Sequence, residues 1–203
     1  IRRMEQDEAD NVILYVVELI YGPKQRYLVT EAGNPRHLQL RTDIPIWHKE
    51  NMINLGIRKL LPANWKAVAW IDADLEFDSP HWAKDTLRIL NGECDIVQLF
   101  SHCIDMGPQK ETLNLFHSAG YQYQKQAKYK CCGSGKDYWH PGYAWGCTRN
   151  AYESMGGLFE MGILGSGDNI MCLSLLGHGR RAIHKESTDG YKDAVHEFES
   201  RVK

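Results

Sequence analysis

The segment Ala67-Val68-Ala69-Trp70-Ile71 is an unbroken apolar run that leads directly into Asp72-Ala73-Asp74. A short apolar run without polar alternation is typical of a strand that is buried on both faces of a parallel sheet. In open α/β sheets, ligands bind beyond the carboxyl ends of the strands, so the two aspartates occupy the expected position of a binding site. This segment therefore predicts both the class of fold and the edge of the sheet that carries function.

Regular elements flank this segment on both sides. The patterns predict strands at residues 12–19, 27–30, 37–40 and 96–100. They predict helices at residues 46–61, 79–92, 149–155 and 168–176, with Ser79-Pro80 opening the second of these helices. The alternation of strands and helices predicts one α/β layered domain over residues 1–203.

Residues 101–142 lose this alternation and are rich in Gly, Lys, Gln, Tyr and Cys. We expect an irregular region there. Within it, Gly133-Ser134-Gly135 lies between Lys130 and Lys136. These residues are typical of a hinge in a lid that closes over a ligand, although a static surface loop fits them equally well.

The composition excludes several classes of protein. The 203 residues are 43% hydrophobic and 25% charged with a net charge of −2, so no basic surface for nucleic acid is expected. No apolar run approaches the ~18 residues of a membrane span. The six cysteines form no CxxC pair, which favours free thiols in a reducing compartment and hence a cytoplasmic protein.

Asp72 and Asp74 stand one residue apart at a turn, so both carboxylates can address one hard cation through oxygen ligands. Such a cation would neutralise a diphosphate and stabilise charge on a departing phosphate oxygen. In the alternative interpretation, one aspartate caps the next segment and the other is solvated. The position directly after a buried strand favours the cation.

A second group of candidates lies between residues 138 and 168. Its aromatic members offer flat apolar faces with polar edges that suit sugar rings or bases, or that pack in a core: Tyr138, Trp139, Tyr143 and Trp145. Glycines in the same stretch allow close approach of the backbone to a ligand. Asp168 begins a helix, where it is either an N-cap or a general base.

Taken together, residues 47–184 resemble the nucleotide-diphospho-sugar transferases of the type-A fold. They are most similar to small family-2-like glycosyltransferases of phage, viral and environmental sequences. Residues 47–57 resemble the family's helix with a basic residue and an Asn, and residues 65–74 resemble the strand that ends in the DxD motif. Residues 143–149, 156–158 and Gly167-Asp168 resemble the acceptor-side segment that ends in the family's Glu-Asp motif.

The resemblance implies a Rossmann-like mixed sheet flanked by helices, and it implies a role for individual residues. Asp72 and Asp74 would contact Mn²⁺ or Mg²⁺ and the donor, and Asp168 would deprotonate the acceptor. Lys49 and Asn54 would bind the donor. His184 would complete the metal shell, with His178 as the second candidate. The expected acceptor side is residues 101–142 and the adjoining aromatic residues, with Trp139, His140, Tyr143 and Trp145 as contacts.

Two departures from the family pattern are visible. Gly167 stands where the family has a Glu before the catalytic Asp, so an acceptor-binding carboxylate is absent or is supplied from elsewhere. The family also begins with a strand that holds the nucleotide base, and no such strand precedes residue 12. We therefore expect an N-terminally truncated chain.

The resulting hypothesis is a metal-dependent, inverting glycosyltransferase. Its donor would be a nucleoside-diphosphate sugar, and a UDP-sugar is the first candidate. Its acceptor would be a hydroxyl group of a glycan or of another molecule. One alternative is a nucleotidyltransferase with the same fold. The other is a degenerate transferase that serves as a carbohydrate-binding or structural module.

Overall fold

The computed structural model describes residues 8–92, 94–130 and 137–202. In these ranges the chain order is β1 (Val16–Tyr21), β2 (His37–Thr42), α1 (Lys49–Leu60), β3 (Ala67–Ile71), α2 (Trp82–Leu90), β4 (Ile96–Gln98), β5 (His102–Met106), β6 (Thr112–Ser118), α3 (Ala119–Gln124), β7 (Trp139–His140), β8 (Ala144–Thr148), α4 (Arg149–Met155), α5 (Gly167–Leu175), a 3₁₀ helix (Gly179–Ala182) and α6 (Asp189–Arg201). The protein is thus of mixed α/β class, as the alternation predicts.

The central sheet has the order β3-β8-β4, and β8 runs antiparallel to both neighbours. The prediction that residues 67–71 lie in a parallel sheet and are buried on both faces is therefore wrong. Within the described ranges β3 pairs with β8 alone, and Ala69 is exposed. The strand with neighbours on both sides is β8, and residues 144–147 of it are buried.

A second sheet pairs β1 and β2 in parallel, with Val16 opposite His37. Helix α1 packs against β1 at Gly56, where an added Cβ would lie 2.8 Å from Cγ2 of Val17. Glycine is therefore what lets the helix approach the strand this closely.

Residues 27–30 form no strand, contrary to expectation. The backbone N–H groups of Leu28, Val29 and Thr30 instead donate to the carboxylate of Glu18 at 2.7, 3.1 and 2.7 Å. A side chain of β1 thus takes the donors that a neighbouring strand would otherwise satisfy.

The expectation of irregular structure over residues 101–142 is wrong for much of that region. β5 and β6 form an antiparallel hairpin, β7 pairs in parallel with β6, and α3 follows β6. The hairpin was not predicted because the burial pattern of β5 is the reverse of the usual one, in which apolar residues are buried and polar residues are exposed. Ile104 and Met106 are exposed, whereas Cys103 and Asp105 are half-buried.

Helix α2 begins at Trp82 rather than at the predicted Ser79-Pro80. Its first turn is satisfied by a carboxylate that is distant in sequence. The N–H groups of Ala83 and Lys84 donate to Oε1 of Glu8 at 3.0 and 3.2 Å. Glu8 is buried, so this long-range contact replaces the local cap.

The hydrophobic core combines the central sheet with α1, α4, α5 and α6. Its members include Trp70, Cys147, Ile170, Val195 and Phe198. Cys103, Cys147 and Cys172 carry free thiols, in agreement with the expectation for these three residues. Among the helices of the described ranges, none combines the length and the apolar character needed to cross a membrane.

Candidate active site

The site lies at the edge of the central sheet where β3 and β4 end and β8 begins. Because β8 is antiparallel to both neighbours, its first residues lie beside the carboxyl ends of those strands. The N–H of Asp72 donates to the carbonyl of Tyr143 at 2.9 Å and extends the β3–β8 ladder. The amide of Gln98, at the end of β4, donates to the carbonyl of His140 at 2.9 Å. Strand pairing thus places Asp72 beside Tyr143 and Gln98 beside His140.

Tyr143 has a strained backbone, with a φ of 73°. This conformation costs a non-glycine residue ~1–3 kcal/mol and is concentrated at functional sites. The phenol donates to Oδ1 of Asp105 at 2.8 Å. Burial raises the pKa of Tyr143 far above its usual range, and the hydrogen bond and the charge of Asp105 raise it further. Tyr143 is therefore a neutral donor at physiological pH.

His140 stacks on the Tyr143 ring, with ring centroids 3.9 Å apart and planes 9° from parallel. Its Nδ1 accepts from the N–H of Gly142 at 3.2 Å, so the neutral ring carries its proton on Nε2. Burial lowers the pKa of His140, while the carboxylates of Asp168, Asp105 and Asp72 oppose that shift. The imidazole therefore faces three negative charges and remains neutral near pH 7.

Lys49 supplies the positive charge of the site. It is the first residue of α1, and its Nζ forms an ion pair with Oδ1 of Asp72. Both side chains keep about a third of their surface or less in contact with solvent, at 30% and 27%. Lys49 also lines a pocket together with Tyr143, Trp145 and Asp168. It thus links the DxD segment to the pocket.

Glu50 is a member of the site that the sequence interpretation missed. Its side chain lines the same pocket and is only 7% exposed. Burial raises the pKa of its carboxyl, and the charge of Asp168 raises it further, whereas Lys49 lowers it. Glu50 belongs to the buried stripe of α1 with Asn54 and Ile57. A charged residue on an otherwise buried helix face was the signal that could have revealed it.

The missing side chain at Gly167 leaves room for the carboxyl group of Glu50. An added Cβ at Gly167 would lie 2.5 Å from Cδ and 2.7 Å from Oε1 of Glu50. No side chain fits at residue 167 while Glu50 keeps this position. The carboxyl of Glu50 therefore fills the space in which the side chain preceding Asp168 would lie.

Asp168 is the second residue of α5, and its carboxylate closes the pocket on the side of Gly142. A Cβ at Gly142 would lie 2.8 Å from Oδ2 of Asp168. Oδ1 accepts from the N–H of Asn169 at 2.7 Å. The N-cap position of α5 belongs to Ser166, so the interpretation of Asp168 as the N-cap is wrong.

Asp74 is exposed, two residues beyond Asp72. Burial raises the pKa of the Cys103 thiol to about 11, and the nearby charges of Asp105 and Asp74 contribute. In the described part of the chain, no three His, Cys, Asp or Glu side chains are grouped closely enough to hold a metal by themselves. Mg²⁺ is commonly held by one or two carboxylates together with phosphate oxygens of a ligand, and Asp72 and Asp74 fit that donor set.

The two tryptophans predicted as acceptor contacts both belong to the hydrophobic core, each with 7% of its surface exposed, but they differ in their relation to the pocket. Trp145 lines the pocket, and its Nε1 donates to the carbonyl of Pro141 at 2.7 Å. Trp139 is a core residue whose ring packs edge-on against Tyr129, at 5.4 Å between centroids. β7 directs the Trp139 side chain into the core and not to the lining of this pocket, and its role as an acceptor contact stays a prediction.

Asn54 does not face the pocket. It is 1% exposed, and its amide donates to the carbonyl of Leu158 and to Oε2 of Glu160, both at 2.9 Å. Its Oδ1 accepts from Tyr152 Oη and from the N–H of Leu158, again at 2.9 Å. Every polar atom of Asn54 is thus used within the protein, so the structure gives this residue a structural role, and donor binding by Asn54 stays a prediction.

His184 is exposed in the turn after the 3₁₀ helix. Its Nδ1 accepts from the N–H of Glu186 at 3.3 Å and lies 4.0 Å from Oε2 of the same residue. The described residues contain no group of three His, Cys, Asp or Glu side chains that could hold a metal, so the structure does not bring His184, Asp72 and Asp74 together as one ligand set. The predicted hinge Gly133-Ser134-Gly135 lies outside the described residues.

Comparison of the chain with protein-family profiles, with curated proteins and with solved structures finds no match. The candidate site combines the Lys49–Asp72 ion pair, the carboxyl groups of Glu50 and Asp168, and the stacked His140–Tyr143 pair.

Proposed function

We propose that this chain is a metal-dependent glycosyltransferase. It would move a sugar, with inversion, from a nucleoside-diphosphate sugar to a hydroxyl of a glycan or another acceptor, and a UDP-sugar is the first donor to test. The observation that carries the proposal is that Lys49, which forms an ion pair with Asp72 at the end of β3, lines the same pocket as Asp168 at the start of α5. Such a transfer needs charge compensation for the departing diphosphate and a base for the incoming hydroxyl.

Asp168 is the proposed general base. It is half-buried in the first turn of α5. Oδ1 is engaged by the N–H of Asn169, which fixes the orientation of the carboxylate, and Oδ2 lies toward Gly142 at the pocket wall. Oδ2 is thus the atom that would take the proton of the acceptor hydroxyl.

Asp72 and Asp74 are the proposed holders of Mn²⁺ or Mg²⁺. When bound, the cation would neutralise the donor diphosphate and stabilise the charge that develops on it. The ion pair with Lys49 shows that Asp72 already attracts positive charge. Lys49 lies within reach of the same ligand and would bind a phosphate oxygen once a cation takes its place at Asp72.

Tyr143, His140 and Trp145 are the proposed sugar contacts. The phenol of Tyr143 is anchored on Asp105, and the stacked His140 ring presents its Nε2 proton. Trp145 adds an apolar wall to the pocket. Flat apolar faces with a neutral donor at one edge, here Nε2 of His140, are suited to the alternating faces and hydroxyls of a sugar ring.

A carbohydrate-binding module without catalysis is the second candidate. The observation that favours it is the ion pair itself, because Lys49 satisfies Asp72 without any cation. The same Nε2 donor of His140 and the aromatic faces would then bind a glycan without transferring it. The two candidates differ in their dependence on a divalent ion.

The test is a panel of UDP-, GDP-, ADP- and dTDP-sugars with Mn²⁺, read by thermal shift and by release of nucleoside diphosphate. A ligand at 100 times its dissociation constant stabilises the fold by ~2.7 kcal/mol, which is readily measured. Asp74→Asn should abolish the stabilisation that requires both donor and Mn²⁺. Asp78→Asn, which changes an exposed aspartate of the same segment, is the matched control and should behave as wild type.

Asp168→Asn separates catalysis from binding. It should retain the donor-dependent thermal shift while the rate of transfer falls by about two orders of magnitude or more, since general-base catalysis contributes 10²–10⁴-fold. Transfer within about threefold of wild type would rule out Asp168 as the base. Glycan binding that needs no divalent ion, without release of nucleotide, would support the binding module. Release of pyrophosphate from a nucleoside triphosphate and a sugar 1-phosphate, supplied in a separate reaction, would indicate a nucleotidyltransferase.

A further inference from the structure

A second cavity lies at the opposite end of α5 from the candidate active site. After α5 the chain turns at Gly177, which has a φ of 71°, and enters the 3₁₀ helix Gly179–Ala182. This short helix packs against both α5 and α6. The cavity between them, named here the basic pocket, is lined by His178, Arg180, Arg181, His196, Glu199 and Ser200.

The basic pocket is separate from the candidate active site. Asp168 is at the start of α5 and the basic pocket is beyond its end. The nine residues of α5 span about 13 Å at 1.5 Å per residue. A group bound in the basic pocket is therefore not the group that contacts Asp72.

Positive charge dominates the lining. The lining contains two guanidinium groups, two imidazoles and one carboxylate, that of Glu199, so arginine charge exceeds carboxylate charge. Within the described ranges, neither Arg180 nor Arg181 forms an ion pair. This concentration stands out in a chain whose net charge is −2, because elsewhere acidic and basic residues nearly balance.

The backbone that carries these arginines is held closely. A Cβ at Gly179 would lie 2.7 Å from Oγ of Ser174 and 3.1 Å from Oε2 of Glu199, so the turn packs directly on α5 and α6. The guanidinium of Arg181 lies 5.6 Å from the centroid of the Tyr129 ring, which restrains that side chain. The turn and the side chain of Arg181 are thus held before any ligand binds, although Arg180 and Arg181 are both exposed.

We propose that the basic pocket is a binding site for a tetrahedral oxyanion, namely a phosphate group, held by Arg180 and Arg181 with His178 and His196. Planar guanidinium groups match phosphate oxygens in bidentate geometry, and hydrogen bonds between charged partners are the strongest that a surface cavity offers. The phosphate group has two possible sources, free orthophosphate or the monoester of a small metabolite.

The experiment measures binding of orthophosphate and of glucose 1-phosphate to the whole chain by ³¹P NMR line broadening and by thermal shift, with ionic strength matched by NaCl. We expect saturable binding of at least one probe. If orthophosphate binds at least as tightly as the ester, the free ion is the ligand, and tighter binding of the ester assigns the monoester.

Arg180→Gln/Arg181→Gln should weaken the binding at least about tenfold, as expected for the loss of one or more charge-assisted hydrogen bonds. Arg58→Gln/Lys59→Gln removes two neighbouring exposed charges of α1 and is the matched control, with unchanged affinity. Circular dichroism verifies the fold of both variants. Equal weakening in both, unchanged affinity in the first, or no saturable binding of either probe by wild type would overturn the proposal.

Discussion

Replacement of Asn54 by Leu tests whether this residue stabilises the fold or binds a ligand. Leu is close to Asn in size and is a good helix former, so the change mainly removes hydrogen bonds. The structure predicts the loss of four bonds. Three buried groups would be left without a partner: the N–H and the carbonyl of Leu158 and the hydroxyl of Tyr152.

The size of the effect follows from these three groups. Each buried polar group without a partner costs about 1–3 kcal/mol. Because the groups are neighbours, their costs do not add fully, and we expect a loss of roughly 3–5 kcal/mol. A domain of this kind is stable by about 5–15 kcal/mol, so the variant should fold but with a markedly lower midpoint of denaturation.

The assay is urea denaturation followed by tryptophan fluorescence, with an unchanged m-value as evidence of two-state behaviour. Asn51→Leu is the control on the same helix. Asn51 donates one exposed hydrogen bond to Oε2 of Glu160 at 3.1 Å, so its loss should cost less than ~1 kcal/mol. A loss at Asn54 no larger than at Asn51 would refute the structural role. A folded Asn54→Leu protein of unchanged stability that has lost donor binding would support the donor-binding role predicted for Asn54 from the sequence.

Two carboxyl groups make stability depend on pH in opposite directions. Burial raises the pKa of Glu50 above 4.5, so stability falls as pH rises from 4.5 through the raised pKa, and Glu50→Gln should be more stable than wild type at pH 7 in urea denaturation. An unchanged pH dependence in this variant would contradict the assignment. The N–H of Leu28, with the donors of Thr30 and Val29, lowers the pKa of Glu18 to about 2. Stability from Glu18 is therefore present above pH 4.5 and lost as pH falls toward 2, and Glu18→Gln should be less stable than wild type at pH 7 but not near pH 2.

Several elements followed directly from the sequence because their signals are local. The run Ala67–Ile71 is a strand, and residues 149–155 form the predicted helix, with the hydroxyl of Thr148 capping it by accepting from Ala151 N–H at 3.2 Å. The position of Asp72 after a strand also followed from this run. Propensity, capping and apolar patterning act within a few residues, so a single sequence reveals them.

Other features were decided by contacts between distant residues. The carboxylate of Glu8 caps α2, and that of Glu18 takes the backbone donors of residues 28–30. Neither partner is near its target in sequence. The hairpin β5–β6 was missed for a related reason, because its exposed positions are apolar and its half-buried positions include Asp105.

The sequence alone determined the mixed α/β class, the strand that ends at Asp72, and the residue types from which a site for a cation and a sugar could be built. Only the tertiary structure decided that β8 pairs antiparallel to β3, which brings Tyr143 beside Asp72. It also placed Glu50 in the space beside Gly167 and directed Asn54 into the core. The physical reason is that local signals describe each segment by itself, whereas the surroundings of a carboxyl or an amide depend on which other segments pack against it.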